Sequence, residues 1–265
     1  MKNAILFNHA WELVAKALQV FIVGILWSMF SYAFAAEKII AVTEEFPPYN
    51  YTENGKLTGY SVNIVEELLK RSTLDYQMAS YPWARAYQMA QRIPNVLIFT
   101  IVRTPERESD FFWIGPVAQR KLYLFKLASR TDIRIDKLDD AKKYRLGVTR
   151  GDAAEDFLMA NGFAANINID LVPNEISNLR KLLVGRIDFM SGTELSVAYL
   201  CKLLGLEESQ IERSILIVNQ GEYFVAMSKQ TAPEIVKKMQ LTFSDMEKSK
   251  VIQEIAKKYH MSKLN

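Results

Sequence analysis

Apolar stretches alternate with amphipathic ones along the chain after residue 37, and this pattern predicts short buried strands separated by helices. The apolar run at 38–43 predicts a strand, and Ser61 is predicted to cap a helix that ends at Arg71. A second helix is predicted at 83–92, and the continuous apolar run at 95–102 predicts a buried strand. This alternating order is typical of a parallel α/β sheet.

The same alternation starts again in the second half of the chain. Strands are predicted at 145–149, 167–172, 187–190, 214–218 and 222–227. Helices are predicted from Asp152, which has the capping-box spacing to Glu155, as far as Gly162, and at 174–184, 193–204, 232–248 and 250–260. The pattern therefore predicts two α/β lobes with mainly parallel sheets flanked by helices. A ligand cleft is expected at the carboxyl ends of the strands.

The first 36 residues differ from the rest of the chain. Lys2 and Lys16 are basic, residues 17–30 are apolar, and Ala33-Phe-Ala35 has the small residues of a cleavage site. These features predict a secretory signal peptide that is removed after Ala35. An uncleaved membrane anchor is the alternative, because residues 17–36 approach the length of about 20 residues that a membrane span needs.

Composition favours binding over catalysis. Of the 265 residues, 49% are hydrophobic and 24% are charged, as in a soluble globular protein, and the net charge of +3 comes without a basic run that would indicate nucleic-acid binding. The single cysteine, Cys201, excludes a disulfide framework and is predicted to be a buried core thiol. With only two histidines besides, we expect no metal site, no cofactor and no catalytic triad.

Three stretches carry a resemblance to a known family. They are Phe46-Pro-Pro-Tyr49 with Gly55-Lys-Leu-Thr-Gly-Tyr-Ser-Val-Asn-Ile64, Thr100-Ile-Val-Arg-Thr-Pro-Glu-Arg107, and Gly185-Arg-Ile-Asp-Phe189. Through them, residues 37–260 resemble the extracellular solute-binding proteins of family 3, the polar amino-acid receptors of ABC importers. The resemblance implies a type II periplasmic binding fold.

The resemblance also implies an organisation and a role. Residues 1–35 would be the signal peptide, 36–125 with 220–265 the first lobe, and 126–219 the second lobe, with the lobes joined by hinge crossings. The implied protein is a monomer in the periplasm. It would close its cleft on a small carboxylate-bearing ligand, such as an amino acid, and deliver it to an inner-membrane ABC permease.

Three residues fall where the family contacts its ligand. Arg107 matches the arginine that binds the ligand α-carboxylate, and a planar guanidinium suits that bidentate contact. Phe46 matches the aromatic residue that stacks on the ligand, and Thr100 falls where the family offers a hydroxyl or a backbone contact. The alternatives are a surface arginine at 107 and a loop-packing role for Phe46.

Two acidic residues are candidates for a cationic group of the ligand. Thr193 occupies the column where the family usually has an acid for the ligand ammonium, so the neighbouring Glu194 is the candidate partner; a solvated carboxylate at a helix start is the alternative. Asp152 stands where the family has threonine after glycine. It could hold a cation or cap the following helix.

Tyr81-Pro-Trp-Ala-Arg85 also departs from the common family pattern. Trp83 would bring a stacking surface and Arg85 a second fixed charge near the cleft. Together with Arg103 and Arg107, Arg85 would suit a ligand with more than one anionic group. A core position is the alternative for Trp83.

Two other functions stay open from the sequence. The same fold could carry an enzyme of the dehydratase type that acts on a carboxylic acid, with Glu194 or Glu45 as the general acid or base. It could also serve a ligand sensor that docks on a membrane receptor. The composition favours the binding protein.

Overall fold

The computed structural model describes residue 19 and residues 38–219 and 221–259. The β-sheets belong to one compact unit that begins at Lys38. The predicted signal peptide, apart from Gln19, lies outside the described residues. Within the described part of the chain, no helix combines the length and the apolar character that crossing a bilayer requires.

The described elements alternate between strand and helix for much of the chain. The strands are β1 (Ile39–Thr43), β2 (Tyr51–Glu53), β3 (Lys56–Thr58), β4 (Tyr76–Ser80), β5 (Val96–Val102), β6 (Phe111–Gln119), β7 (Leu122–Leu127), β8 (Leu146–Thr149), β9 (Ile169–Val172), β10 (Phe189–Gly192), β11 (Ile211–Val218) and β12 (Glu222–Ser228). The helices are α1 (Tyr60–Ser72), α2 (Trp83–Arg92), α3 (Ala153–Ala160), α4 (Glu175–Leu183), α5 (Glu194–Leu203), α6 (Pro233–Lys248) and α7 (Val251–Lys258).

The first lobe is built on a five-stranded sheet in the order β4-β1-β5-β12-β6. β1 is parallel to both β4 and β5, whereas β12 is antiparallel to β5 and β6. Helices α1, α6 and α7 cover one face around a core that contains Phe99 and Phe243, and α2 covers the other face through Trp83. Both faces of β5 are therefore buried, which explains why its sequence is apolar at every position except Thr100.

The second lobe is built on a sheet in the order β11-β7-β10-β8-β9. β8 is parallel to β9 and β10, and β7 is antiparallel to β10 and β11. One face packs around Phe189 and Leu158, and the other packs around Leu200 and Cys201. Cys201 is buried, as the sequence predicted.

The predicted fold class is confirmed, although the sheets are mixed rather than mainly parallel. β7 belongs to the second sheet, so the predicted lobe boundary after residue 125 falls inside a strand. The chain crosses between the sheets at 120–121 and again at 219–221.

The predicted cap of α1 is wrong in its residue. The helix begins at Tyr60 after Gly59, and Ser61 is buried inside its first turn. The first N–H groups of α1 are instead satisfied by the preceding loop, because Tyr60 N donates to Pro48 O at 3.1 Å and Ser61 N to Tyr49 O at 2.8 Å. A Pro-rich loop folded over the helix start replaces the expected side-chain cap.

Candidate functional site

A small cavity lies where the two lobes meet, at the carboxyl ends of β1, β5, β8 and β10. Its volume is about 30 Å³, close to the volume of one water molecule. Larger grooves of about 400 and 900 Å³ lie elsewhere along the two lobes. The lining of the cavity is formed by Glu44, Phe46, Thr100, Leu122, Thr149, Asp152, Glu175, Ser191, Gly192, Thr193 and Tyr223.

The aromatic wall of the cavity is built by the loop after β1 together with β12. Phe46 stacks on Tyr49 with ring centroids 4.9 Å apart, and Tyr223 meets Phe46 edge-on at 5.6 Å. Burial raises the pKa of Tyr223 well above its usual value of 10.0, so its hydroxyl keeps its proton. The structure thus places Phe46 in the lining, where the sequence predicted a stacking residue.

Thr100 lies in β5 with a left-handed backbone, φ 61°, which is unusual for a β-branched residue. Its hydroxyl donates to Asn50 Oδ1 at 2.6 Å, and Asn50 Nδ2 donates in turn to Glu44 O at 2.7 Å. Backbone strain of this kind persists only where the surroundings hold it, and it concentrates at functional sites. Thr100 therefore lines the cavity and fixes the loop that carries Phe46.

Arg107 is only 4% exposed and joins the two lobes. From the first lobe, its Nη2 donates to Gly151 O at 3.0 Å and to Asp156 Oδ2 at 2.9 Å in the second lobe. Its Nη1 is buried and has no hydrogen-bond partner among the described residues. Arg107 lines the groove of about 900 Å³ rather than the small cavity.

Trp83 is buried and also reaches the second lobe. Its Nε1 donates to Gly151 O at 2.6 Å, the same oxygen that Arg107 contacts. The guanidinium of Arg107 lies 5.9 Å from the Trp83 ring centroid and 5.0 Å from that of Tyr87. Two side chains of the first lobe therefore hold one carbonyl of the second.

Several charged residues proposed from the sequence lie away from the cavity, because each has a partner at the surface. Arg85 is exposed over the Tyr81 ring, and Arg103 pairs with Glu108 at 2.6 Å. Glu194 is exposed and pairs with Arg213. Glu45 is exposed and accepts bonds from Thr52 N and Oγ1. The structure does not bring Arg85, Arg103, Glu194 or Glu45 into the cavity.

Asp152 caps α3, which is one of the two roles that the sequence left open, and its role toward a cation stays a prediction. It is the N-cap of α3 and accepts a hydrogen bond from Ala153 N at 2.6 Å, while Glu155 Oε2 accepts one from Gly151 N at 2.5 Å. The Asp152 side chain also lines the cavity. Its carboxylate therefore caps a helix and faces the space between the lobes.

Two carboxylates of the cavity, Glu175 and Glu44, are not among the predicted site residues. Glu175, the first residue of α4, is 7% exposed; its Oε1 accepts a bond from Ser196 Oγ at 2.8 Å. Burial raises its pKa to about 8, against the opposing effect of that bond, and Asp152 adds to the rise. Burial first, then Asp152 and Glu175, raise the pKa of Glu44 well above its usual value of 4.5.

Position relative to a strand end is the one signal in the sequence that points to these two residues. Glu44 directly follows β1, and Glu175 follows β9 by three residues. Carboxylates at such positions face the cleft of an open α/β sheet. Glu175 also follows the helix cap Asn174. Acidic residues are common in the first turn of a helix because they stabilise it, so the sequence alone does not distinguish a cleft carboxylate from a helix-stabilising one.

A metal centre does not account for these carboxylates. No three His, Cys, Asp or Glu side chains within the described ranges are grouped closely enough to hold a metal ion.

The comparisons with known proteins identify the family. Residues 39–262 match the sequence model of the bacterial extracellular solute-binding proteins, family 3. The chain belongs to this family. The resemblance expected from the sequence motifs is thereby confirmed. This is a family of binding proteins.

This family 3 protein is similar to one protein in sequence and to two solved structures in fold. It is 24% identical over 151 residues to the probable amino-acid-binding protein YxeM of Bacillus subtilis (strain 168), and the match spans 56% of each protein. A histidine kinase sensor domain with similarity to periplasmic binding proteins has a TM-score of 0.75 at 15% identity, covering 84% of this chain and 95% of that one. An ancestral arginine-binding protein bound to arginine has a TM-score of 0.73 at 18% identity, covering 83% and 97%.

Proposed function

We propose that this family 3 protein is a periplasmic receptor that captures a small carboxylate-bearing ligand, an amino acid or a related molecule, and delivers it to an ABC importer. The observation that carries the proposal is Arg107. It is a buried guanidinium at the junction of the lobes, and its Nη1 has no hydrogen-bond partner in the described part of the chain. A buried donor without a partner costs about 1–3 kcal/mol, and a ligand carboxylate would satisfy it.

The present partner of Arg107 supports this role. Arg107 Nη2 already donates a hydrogen bond to the carboxylate of Asp156. The Asp156 side chain is 54% exposed, whereas that of Arg107 is 5% exposed. An ion pair with a largely exposed acid contributes little free energy. A ligand carboxylate could therefore replace that of Asp156 at low cost and gain both nitrogens of the fork.

Binding requires the lobes to separate and close again. A cavity of about 30 Å³ is smaller than any amino acid, so a ligand enters when the chain hinges at 120–121 and 219–221. The contacts of Trp83 and Arg107 with Gly151 O would re-form on closure. A ligand that contacts both lobes shifts this equilibrium by its differential affinity for the closed state.

The relatives support an amino acid as the ligand class. YxeM is described as a probable amino-acid-binding protein, and the ancestral relative holds arginine. The resemblance to a histidine kinase sensor domain favours a second candidate function, in which the closed form docks on a membrane receptor rather than on a permease.

Thermal unfolding of the purified protein against L-amino acids, dicarboxylates and cyclic acids tests the proposal. A ligand at one hundred times its Kd adds about 2.7 kcal/mol to the free energy of unfolding, which raises the midpoint by several degrees. We expect Arg107→Lys to abolish the shift and Arg85→Lys to keep it, because Arg85 is exposed and lines neither the small cavity nor the groove that contains Arg107. A shift that survives in Arg107→Lys would contradict the carboxylate role.

The location is tested on the exported protein. If the signal peptide is cleaved as proposed, N-terminal sequencing of the periplasmic fraction will begin at Ala36. Recovery of the protein in the membrane fraction with its first residues intact would instead support the anchored alternative.

A further inference from the structure

We infer that the ligand carries a net positive charge and that Glu175, together with Glu44 and Asp152, holds its additional cationic group. The inference deepens the proposed function, on which it rests for the carboxylate contact at Arg107. The structure shows three carboxylates around one cavity whose described lining contains neither lysine nor arginine. A zwitterionic amino acid brings a single ammonium, whereas an additional cationic group on the ligand would supply donors for the remaining carboxylate oxygens of the cavity.

Glu175 is the observation that points to a ligand. Its Oε2 is buried, and no donor in the described ranges reaches it, although the side chain is 7% exposed and lines the cavity. A role at the start of α4 would give that oxygen a backbone N–H, yet Asn174 accepts the bond from Ser177 N instead. The carboxylate therefore presents a free acceptor to the space between the lobes.

The second lobe holds Glu175 in this position. Ser196 Oγ donates to Oε1 at 2.8 Å and fixes the carboxylate from the α5 side. Gly192 lies against the same oxygen, because a Cβ at position 192 would stand 2.8 Å from Glu175 Oε1. The side chain is thus packed and oriented toward the cavity, as a recognition group must be.

The other walls of the cavity suit an organic cation. Phe46 and Tyr223 present aromatic rings, which attract ammonium and guanidinium groups through their negative faces. A metal ion is disfavoured, since no three acidic, histidine or cysteine side chains of the described residues are grouped to coordinate one. An amine or guanidine is larger and can bond to carboxylates that are further apart.

The test compares ligands of equal shape and different charge by isothermal titration calorimetry. We expect L-arginine to bind at least tenfold more tightly than L-citrulline, which has the same shape without the guanidinium charge. L-Lysine should likewise bind more tightly than L-norleucine. The inference is overturned if citrulline binds as tightly as arginine, if L-glutamate binds more tightly than either, or if neither arginine nor lysine binds.

Variants locate the cationic subsite. We expect Glu175→Gln to reduce the preference for arginine over citrulline at least tenfold, with Glu44→Gln as a second variant of the same cavity. Glu194→Gln is the matched control, because it removes an exposed carboxylate that pairs with Arg213 outside the cavity. A preference that is lost in Glu194→Gln and kept in Glu175→Gln and Glu44→Gln would overturn the assignment.

Further results distinguish an error in the proposed carboxylate contact at Arg107 from an error in the proposed cationic subsite. Cadaverine, a diamine without a carboxylate, would still bind and depend on Glu175 if only the carboxylate role of Arg107 were wrong. If only the cationic subsite were wrong, Arg107→Lys would abolish the binding of citrulline while Glu175→Gln left the binding of every probe unchanged.

Discussion

Glu175 shows how a single side chain can combine a structural cost with a recognition role. Its charged form is disfavoured in the folded protein by burial, and the carboxylate of Asp152 adds to this effect. Glu175 raises the pKa of Glu44 in turn. The one group that favours its charged form is the Ser196 hydroxyl. A ligand cation placed among these carboxylates would stabilise their charged forms. Without such a ligand the carboxylates are costly to ionise, so the cavity would favour cationic ligands.

The pH dependence of stability tests this arrangement. Because the folded pKa of Glu175 is raised from 4.5 to about 8, its stabilising contribution is complete below pH 4.5 and is lost as the pH rises through 8. Relative to Glu175→Gln, the free energy of unfolding of the wild type should fall by at most about 1.4 kcal/mol per pH unit in this window. Urea unfolding at pH 5, 6.5 and 8 measures the difference.

The control for this titration is the exposed carboxylate of Glu194. Across the same pH range, Glu194→Gln should follow the wild type more closely than Glu175→Gln does. Parallel curves for the wild type and Glu175→Gln would show that Glu175 titrates as an ordinary surface acid.

Gly192 offers a prediction about recognition at the residue scale. An alanine Cβ at this position would lie 2.8 Å from Glu175 Oε1 and 2.9 Å from Val197 Cγ2. We expect Gly192→Ala to displace the carboxylate and weaken the binding of L-arginine about tenfold or more. Calorimetry measures the affinity, and Gly205→Ala, at the end of α5 with nothing within 4 Å, is the control. Equal losses in both variants would contradict the prediction.

The sequence motifs correctly indicated the family. Three of the residues predicted for the site, Phe46, Thr100 and Asp152, line the cavity, and their roles toward a ligand stay predictions. The motifs do not show which side chains are buried. Glu175 and Glu194 both begin a helix after a polar cap, yet one is buried in the cavity and the other lies at the surface. Only the packing of the two lobes distinguishes these two carboxylates, and packing depends on contacts between distant parts of the chain.

At the scale of elements, the strands that the pattern missed lie at or next to sheet edges. β4 and β6 are the edge strands of the first sheet. β6 contains Gly115 and Pro116, which argue against a strand but are tolerated at an edge. Central strands such as β5, which is apolar at every position except Thr100, could be predicted.

The start of α1 gives a prediction at this scale. Gly59 has φ 124°, and an alanine Cβ there would lie 2.4 Å from Tyr49 O, in the loop that caps the helix. We expect Gly59→Ala to lower the free energy of unfolding by about 3 kcal/mol through strain and overpacking. Gly55, with φ 75° and nothing within 4 Å, is the matched control, and Gly55→Ala should cost about 1 kcal/mol. Similar losses for both variants in urea unfolding would contradict the close approach.

At the scale of the whole molecule, the two lobes meet in a small contact on which the proposed closure would depend. Gly151 O accepts hydrogen bonds from Trp83 Nε1 and Arg107 Nη2, both of which come from the first lobe. These bonds form only when the lobes are together. Each contributes about 1 kcal/mol, so losing one would shift the open–closed equilibrium about fivefold.

Small-angle X-ray scattering without ligand tests this contact. We expect Trp83→Phe to increase the radius of gyration relative to the wild type, because the closed form loses one bond between the lobes. Trp113→Phe is the matched control, since Trp113 Nε1 donates to Glu108 O within the first lobe. An equal radius of gyration in Trp83→Phe and the wild type would show that the bond does not influence closure.

The route of the chain through the two sheets determines the order in which the lobes can be completed during synthesis. Residues 122–218 supply every strand of the second sheet, and their ends are neighbours because Leu122 pairs with Val218. The first sheet lacks β12, which lies between β5 and β6, until residue 228 has been made. The lobe that the ribosome begins first is therefore the one that it finishes last, and the second lobe is complete while its partner still has an open sheet.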